Sequence, residues 1–475
     1  MLQDTIAGIA TAMGEGAISI IRVSGDDALP IANKLFRGKD LTTVPSHTIN
    51  YGFIYDPETN KKVDEVLVSV MRAPKTFTVE DVVEINCHGG ILVTNKILEL
   101  LLVAGARIAE PGEFTKRAFL NGRIDLAQAE SIMDIIHAKS EQSLSLALNG
   151  LDGRVSRLIK EMREEILNIV ANIEVNIDYP EYDDVEEMTN DILLPRSIEI
   201  HEKMLKLLDT AKTGKILRDG IKTAIIGRPN VGKSSLLNQL MREEKAIVTN
   251  IAGTTRDTVE GYINIGGLTL NLIDTAGIRE TKDIVEAIGV EKSKKLINEA
   301  ELVLLVLNNN EALTADDREL LQLTADKNRI IILNKTDLET NIERSELPSY
   351  VETSMVLEQG IEVLENSIKK MFEIGDIGSS DMTYLSNARH IAKLKQAITS
   401  IEDAINAMQM GMLVDMVEID IKNAWYSLGE ILGEEIGDSL LDELFSKFCL
   451  GKKKTLESFI SNLFLCTNTG KISQN

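Results

Sequence analysis

Up to about residue 120, short apolar runs alternate with glycine and proline, a pattern typical of a mixed α and β domain. Three of these runs predict strands, namely Ala17–Val23, Val63–Met71 and Asp81–Asn86. The longer run Ile91–Val103 predicts one helix. This part of the chain is therefore expected to fold as an α+β domain.

The hydrophobic period then changes to that of long amphipathic helices, from about Leu126 to Asn176. An acidic stretch, Asp178–Glu187, interrupts this pattern, and it resumes at about Ile192–Lys212. A second helical stretch runs from about Gly375 to Phe448. The chain is therefore expected to contain two helical stretches that are separated in sequence.

Between the two helical stretches, short apolar strands alternate with helical segments. The predicted strands are Thr223–Ile226, Leu268–Ile273, Leu302–Leu307 and Ile330–Leu333. This alternation predicts a doubly wound parallel sheet. The economical interpretation is an insertion, in which the two helical stretches pack as one domain and the α/β domain loops out between them. Four domains in a row are the alternative.

Composition narrows the classes of function. A chain of 475 residues is too long for one hydrophobic core. The net charge of −23 argues against a protein that grips nucleic acid with its whole surface. Cys87, Cys449 and Cys466 lack metal-binding spacing and suit a reducing compartment. Because no apolar run reaches about 18 residues, a cytoplasmic protein with no membrane segment is expected.

The run Gly227-Arg-Pro-Asn-Val-Gly232-Lys233-Ser234 matches the P-loop pattern and directly follows a predicted strand. Its glycines let backbone N–H groups converge on phosphate oxygens, and the following helix N-terminus adds positive potential. Lys233 is expected to reach the β- and γ-phosphates as a catalytic group, and the Ser234 hydroxyl to bind Mg²⁺. A glycine-rich structural turn and an ATPase are the alternatives.

Two further elements appear in the order expected of a GTPase. Asp274-Thr-Ala-Gly277 follows a predicted strand, where Asp274 can hold Mg²⁺ as a Walker-B acid. Thr254 and Thr255 lie between the P-loop and Asp274, where a switch loop offers a hydroxyl to Mg²⁺ and the γ-phosphate. Ile278 stands where many GTPases have a water-orienting glutamine, so the chain must activate water differently or be a slow switch.

The run Asn334-Lys335-Thr336-Asp337 indicates that the base is guanine. A carboxylate at Asp337 can accept hydrogen bonds from N1–H and the exocyclic amino group of guanine. Adenine lacks both donors and would leave the carboxylate unpaired, which discriminates strongly. A last base-contacting segment is expected near Thr353–Met355.

These motifs, with others near both ends of the chain, resemble the family of the bacterial and mitochondrial tRNA modification GTPase MnmE, also called TrmE. The match runs from the N-terminus to about Lys452. Its further specific features are Arg22-Val-Ser-Gly25, Glu80-Asp81, Glu84-Ile-Asn-Cys-His-Gly-Gly90, Pro111-Gly-Glu-Phe-Thr-Lys-Arg-Ala-Phe-Leu-Asn-Gly122 and Phe448-Cys-Leu-Gly-Lys452.

The resemblance implies a multidomain α+β and α/β architecture. An N-terminal α+β domain (1–122) would bind 5-formyl- or methylene-tetrahydrofolate and form a homodimer. A helical domain in two parts (123–217 and 376–452) would carry an inserted P-loop α/β G domain (218–375), and residues 453–475 form an atypical tail beyond the family's usual end. With a flavoprotein partner, GidA/MnmG, in a heterotetramer or larger complex, the family modifies carbon 5 of the wobble uridine of certain tRNAs.

The resemblance also implies hydrolysis stimulated by K⁺. Mg²⁺ is assigned to Ser234 and Thr255, and Glu286 resembles the glutamate that orients the attacking water. The implied K⁺ ligands, whose oxygens suit a hard cation, are Asn230, Thr249, Ile251 and Thr254. The predicted nucleotide-binding residues are Asn230, Val231, Gly232, Lys233, Ser234, Ser235, Thr249, Asn250, Ile251, Ala252, Gly253, Thr254, Thr255, Asp274, Thr275, Ala276, Gly277, Asn334, Lys335 and Asp337.

For the folate, the resemblance assigns Arg22, Glu84, Arg123 and Lys452. A carboxylate can pair with pterin N–H donors, and cations can pair with a glutamyl tail. Cys449 lies in the family's C-terminal motif as a candidate catalytic thiol, although a buried inert thiol is the alternative. Two functions stay open: a K⁺-stimulated GTPase of tRNA wobble-uridine modification, and a regulatory or ribosome-assembly GTPase that binds RNA without folate chemistry.

Overall fold

The computed structural model describes residues 4–178, 190–243, 261–273, 290–372, 383–434, 436–446 and 448. The chain forms two compact units. Residues 1–129 with 433–475 make the first, here called the N-terminal unit, and residues 130–432 make the second, the central unit. The predicted second helical segment, 376–452, is thus divided between the two units at residue 433. The five-segment division expected from the sequence stays a prediction.

The N-terminal unit is built on a seven-stranded sheet of order β3-β4-β5-β6-β2-β1-β7. Its strands are β1 (Ile6–Ile9), β2 (Gly16–Ser24), β3 (Phe36–Arg37), β4 (Thr48–Tyr55), β5 (Lys62–Met71), β6 (Val82–Gly89) and β7 (Arg107–Ile108). The helices of this unit are α1 (Ala28–Leu35), α2 (Ile91–Val103), α3 (Glu113–Leu120) and, near the end of the chain, α15 (Asp438–Ser446). The predicted strands and the predicted helix at 91–103 are confirmed.

One face of this sheet is covered and the other is open. In β5, Val66, Val68 and Val70 are buried against α1 and α2, while the intervening Leu67 is exposed. This two-residue period is the expected consequence of the strand pleat. It places Arg22 of β2 and Glu84 of β6 on the open face, directly opposite each other.

The helix α15 packs on α3 within the N-terminal unit, with Phe445 beside Phe119. The contact is close at Gly112, whose φ is +73°, because a Cβ there would lie 2.3 Å from the carbonyl oxygen of Phe445. Only glycine combines this left-handed backbone with that approach. The last described helix therefore belongs with the N-terminal unit, which the helical period alone did not indicate.

In the central unit, two helical stretches share one hydrophobic core, which includes Ile159, Ile166, Met204, Leu394 and Leu428. Their helices are α4 (Leu126–His137), α5 (Glu141–Leu151), α6 (Arg154–Asp178), α7 (Asn190–Asp209), α8 (Ala211–Asp219), α13 (Ala388–Gln409) and α14 (Val414–Leu432). The expected packing of the two sequence-distant helical stretches is confirmed, and the α/β elements lie between them in sequence.

The inserted elements form a six-stranded sheet of order β13-β12-β11-β8-β10-β9. Its strands are β8 (Ile221–Ile226), β9 (Gly261–Ile265), β10 (Leu268–Leu272), β11 (Leu302–Asn308), β12 (Arg329–Asn334) and β13 (Tyr350–Glu352). The flanking helices are α9 (Lys233–Glu243), α10 (Val290–Glu299), α11 (Ala315–Leu323) and α12 (Ile361–Met371). The predicted parallel sheet is confirmed for five strands. The sixth, β9, pairs antiparallel with β10 across the turn at Gly266 and Gly267.

A buried ion cluster ties α4 to the start of α13. Glu130 accepts hydrogen bonds from Arg389 at 2.8 and 2.9 Å and pairs with His390 at 2.6 Å. Burial acts to raise the pKa of Glu130, but the bonds from His390 and Arg389 lower that pKa to about 2. Because α13 begins where the chain returns from the inserted elements, this cluster holds one end of the insertion in place.

The Glu130→Gln variant is expected to lower the free energy of unfolding by roughly 3 kcal/mol at pH 7, because Arg389 and His390 lose the buried carboxylate with which they pair. The pKa of Glu130 is lower in the folded chain than its ordinary value of 4.5. The stabilisation is therefore fully present above about pH 4.5 and is lost as the pH falls toward 2. Urea unfolding at pH 7, 5 and 3 should show a constant difference from wild type down to pH 5 and a smaller one at pH 3. The exposed Glu161→Gln control should match wild type throughout.

Candidate GTP site and N-terminal pocket

The P-loop connects β8 to α9 through backbone conformations that its glycines permit. Gly227 has a φ of +146°, and a Cβ on it would lie 2.3 Å from the carbonyl oxygen of Val306. Gly232 has a φ of +103°, and its Cβ would meet the Asn334 side chain at 2.1 Å. Asn230 lies in the left-handed region with a φ of +63°, which asparagine tolerates better than most residues.

Lys233 is the first residue of α9, and its side chain turns back over the loop. Its Nζ donates to the carbonyl oxygens of Gly227 at 2.7 Å and Arg228 at 2.6 Å. Burial lowers the pKa of this ammonium below its ordinary value. Ser234 and Ser235 follow in the first helical turn, where backbone N–H groups have no carbonyl partner within the helix. This arrangement is suited to holding phosphate oxygens at a helix N-terminus.

The predicted guanine motif lies next to the P-loop. Asn334 ends β12, is buried, and donates from Nδ2 to the carbonyl oxygen of Val231 at 2.9 Å. Lys335 has a φ of +63°, which turns the chain away from the strand. The side chains of Asn334 and Asp337 therefore follow one strand end beside the phosphate loop. The structure brings the two sequence-distant motifs together.

The segment Thr353–Met355, whose match to a base-contacting motif is weak in the sequence, contacts the guanine motif. Ser354 donates from Oγ to the Asp337 carboxylate at 2.6 Å, and the backbone N–H of Thr336 donates to the carbonyl oxygen of Thr353 at 3.2 Å. Ser354 in turn accepts from the N–H of Leu357 at 3.2 Å. The segment expected to contact the base thus holds the carboxylate of Asp337 in one orientation.

In the N-terminal unit, the structure brings together three of the four residues assigned to folate, and two of them lie at one aromatic ring. Arg22 donates from Nε to Glu84 at 2.8 Å, and its guanidinium lies 5.9 Å from the ring centre of Phe77. Arg123 lies 5.2 Å from the same ring and donates to the carbonyl oxygen of Thr76 at 2.8 Å. A second ring, Phe114, lies 5.5 Å from Arg22. The site combines cations, a carboxylate and aromatic faces.

Comparison with known proteins decides the family. Residues 5–123 match the model of the GTP-binding protein TrmE N-terminus, and residues 126–449 match the MnmE helical domain. The tRNA modification GTPases MnmE of Bacillus mycoides (strain KBAB4) and Bacillus thuringiensis (strain Al Hakam) are each 58% identical over 455 residues. Each alignment covers 94% of this chain and 99% of the relative. The chain belongs to the MnmE family of tRNA modification GTPases.

This MnmE-family chain is accordingly a GTPase of tRNA modification, and the family expected from its motifs is confirmed. Among solved structures, the G domain of the FeoB iron transporter of T. maritima is 30% identical. The alignment covers 32% of this chain and 98% of the FeoB G-domain chain, with a TM-score of 0.24.

Several predicted site residues of this MnmE-family chain lie outside the described residues. They are Thr249, Asn250, Ile251, Ala252, Gly253, Thr254, Thr255, Asp274, Thr275, Ala276, Gly277, Glu286, Cys449 and Lys452. Their roles stay predictions. The strands β9 and β10 show where two of these stretches join the sheet, because β9 begins after residue 260 and β10 ends at Leu272.

Sequence reasoning missed two ion networks that support these sites. Arg228 of the P-loop donates to the buried Asp317 at 2.8 Å, and Asp317 also accepts from Thr314 in the N-terminal cap of α11. The ion pair between Arg228 and Asp317 therefore holds the P-loop to the start of α11. Arg228 lies within the P-loop motif, which the sequence does show. Its partner Asp317 is 89 residues away, so no local pattern links the two.

The second network explains the motif at 111–122. Arg117 is only 1% exposed and pairs with Asp4 at 2.7 Å, Glu80 at 3.0 Å and Glu113 at 3.1 Å. Burial acts to raise the pKa of Glu113, yet the bonds from Arg107, the backbone and Arg117 lower it overall. A buried guanidinium needs such partners. The motif therefore fastens α3 to Asp4 and to Glu80, which is three residues from Phe77.

Within the ranges that the structure describes, no helix is both long and apolar enough to cross a membrane. In the same ranges, no group of three or more His, Cys, Asp or Glu side chains is arranged to hold a metal ion.

Proposed function

We propose that this chain is a K⁺-stimulated GTP hydrolase that, with a flavoprotein partner of the GidA/MnmG type, modifies carbon 5 of the wobble uridine of certain tRNAs in the cytoplasm. A tetrahydrofolate, 5-formyl or methylene, supplies one carbon when bound. The observation that carries the proposal is the pairing of Arg22 with Glu84, together with the approach of Arg22 and Arg123 to the ring of Phe77, in a chain that also contains a GTP site.

The residues of the N-terminal pocket fit a pterin with a glutamyl tail. Glu84 is partly exposed, and both of its bonds from Arg22 fall on one oxygen, Oε1. A pterin ring presents adjacent N–H donors that a carboxylate can accept, and Phe77 and Phe114 offer apolar faces for a flat ring. Arg22 and Arg123 place two guanidinium groups where carboxylates of the tail can pair.

At the GTP site, Lys233 would neutralise the β- and γ-phosphates, and Ser234, Thr255 and Asp274 would hold Mg²⁺. The amide oxygen of Asn230, with oxygens of Thr249, Ile251 and Thr254, would hold K⁺. The cation supplies the positive charge that an arginine finger supplies elsewhere. Glu286 orients the attacking water, which Ile278 cannot do.

The homodimer forms through the N-terminal unit. On the open face of its sheet, Ile18, Ile49, Tyr51 and Leu67 are all exposed, in strands that pair side by side. Contiguous apolar surface of this kind marks an interface. The same face carries Glu84, which lies in register with Ser69 and thus two strands from Ile49. A second copy is the partner that covers this face.

The proposal is tested by titrating the full chain with 5-formyl-tetrahydrofolate in a calorimeter. Wild type should bind, and Glu84→Gln and Arg123→Ala should each weaken binding by about tenfold or more, as expected for lost hydrogen bonds to charged groups. Arg37→Ala is the matched control, because Arg37 also lies over an aromatic ring, that of Tyr55, but in another part of the unit. Failure of wild type to bind would favour the regulatory or ribosome-assembly GTPase instead.

A further inference from the structure

The turn between α13 and α14 carries an apolar surface that the helical core does not use. Its members are exposed by between 40 and 80% and form what we call the hairpin patch: Met410, Met412, Leu413, Met416 and Ile419. Their neighbours Met408, Val417 and Ile421 are buried in the helical core. The patch therefore faces outward from the same hairpin whose other side packs inward.

The helix α14 has two apolar stripes rather than one. Val417, Ile421, Ala424 and Leu428 follow the spacing of the core-facing stripe. On another side of the helix, Met416, Ile419 and Tyr426 repeat at three and seven residues and are all exposed. A helix that only needed to pack in its own bundle would carry polar residues on that second side. The second stripe is typical of a helix that meets another molecule.

The composition of the patch also points to a binding surface. Three of its five side chains are methionine, which is unbranched and adapts its shape to a partner. Apolar side chains in one contiguous exposed area are uncommon on a surface that meets only water. Leaving these side chains solvated forgoes the free energy that their burial against a partner would contribute.

The charge around the patch selects the kind of partner. From Gln409 to Asp420 the sequence contains three carboxylates and no lysine or arginine. Burial and the nearby Asp403 raise the pKa of Asp420, as expected where acidic groups crowd. Lys422 pairs with Glu174 and Glu418, so Asp415 and Asp420 are the carboxylates that set the charge beside the patch. This potential repels RNA, anionic membranes and the same surface of a second copy.

We infer that the hairpin patch is the docking surface for a protein that presents apolar side chains ringed by lysine and arginine. Resting on the proposed function, we assign that protein as the flavoprotein partner. The patch lies at the far end of α13, whose 22 residues span about 33 Å from the point where the chain returns from the GTP-binding elements. Docking here leaves the nucleotide site open to GTP.

The test measures binding of the purified flavoprotein to full-length chain by surface interferometry. The triple variant Met410→Ser, Leu413→Ser, Ile419→Ser should raise the dissociation constant at least tenfold, mainly through faster dissociation. The matched control replaces three exposed leucines elsewhere in the helices, Leu144→Ser, Leu148→Ser and Leu167→Ser, and should bind as wild type does. Both variants should keep the basal GTP hydrolysis rate, which also shows that they fold.

A second variant separates charge from apolar contact. Asp415→Lys should slow association severalfold at low salt, and the difference should shrink as salt is added, because it removes attraction to a basic partner. Unchanged binding by the triple variant would overturn the inference, as would loss of self-association or of tRNA binding with flavoprotein binding intact. Failure of wild type to bind the flavoprotein would instead count against the proposed function.

Discussion

Asp337→Asn is expected to shift the base preference from GTP to xanthosine triphosphate by a factor of about 10⁴. Asp337 accepts from Ser354 at 2.6 Å, so its carboxylate is held in place by the segment after β13. Guanine offers two N–H donors to this carboxylate. Xanthine replaces the amino group with a carbonyl oxygen, which an amide N–H can meet and a carboxylate cannot.

The measurement is hydrolysis of each nucleotide at equal concentration, reported as kcat/KM. Asp326→Asn removes a carboxylate from a loop of the same sheet and should leave the preference for GTP unchanged. Ser354→Ala should lower kcat/KM for GTP without favouring xanthosine triphosphate, because it frees the carboxylate but does not alter its chemistry. An Asp337→Asn variant that retained full preference for GTP would show that another group selects the base.

Asn230→Gly is expected to abolish the stimulation of GTP hydrolysis by K⁺, a loss of about 100-fold in K⁺ buffer and little change in Na⁺ buffer. The backbone conformation at position 230 decides which substitution is suitable. Asn230 has a φ of +63°, so alanine would add backbone strain to the loss of the amide oxygen. Glycine accepts that backbone conformation and removes only the side chain.

The control uses the same exchange at another left-handed asparagine. Asn60 has a φ of +50° in a turn of the N-terminal unit, and Asn60→Gly should keep the full ratio of rates in K⁺ and Na⁺. GTP affinity should remain measurable in Asn230→Gly, since Lys233 and the backbone N–H groups are unaltered. If wild type hydrolysed GTP at the same rate in K⁺ buffer and in Na⁺ buffer, the hypothesis of a K⁺ site would be contradicted.

Periodicity predicted most elements because it reports directly on which side chains meet the core. The strands β2, β5, β6, β8, β10, β11 and β12 and the long helices of the central unit were foreseen in this way. The strand β9 was not, because it is short and its partner β10 follows after only two glycines. The packing of α15 on α3 was also missed, since a helical period shows which side is buried but not which element covers it.

The residues of the candidate sites likewise fall into two groups, those that local motifs identify and those that only tertiary packing brings to the site. Local motifs identified Lys233, Asn334 and Asp337, because the chemistry of phosphate and guanine recognition requires those groups at fixed short spacings. Ser354 lies in a segment with only a weak sequence match, and the partners at Asp317 and Phe77 carry no local signature at all. Each meets its site only through strand order or loop packing.

By itself, the sequence determined the class of nucleotide, the family and the elements, because each rests on residues close together along the chain. Tertiary structure decided the rest. Antiparallel pairing of β2 with β6 places Arg22 beside Glu84, 62 residues apart, and packing then brings Arg123 to the ring of Phe77. Side-chain contacts across such separations depend on the register of strands and the docking of helices, and no short spacing in the chain encodes them.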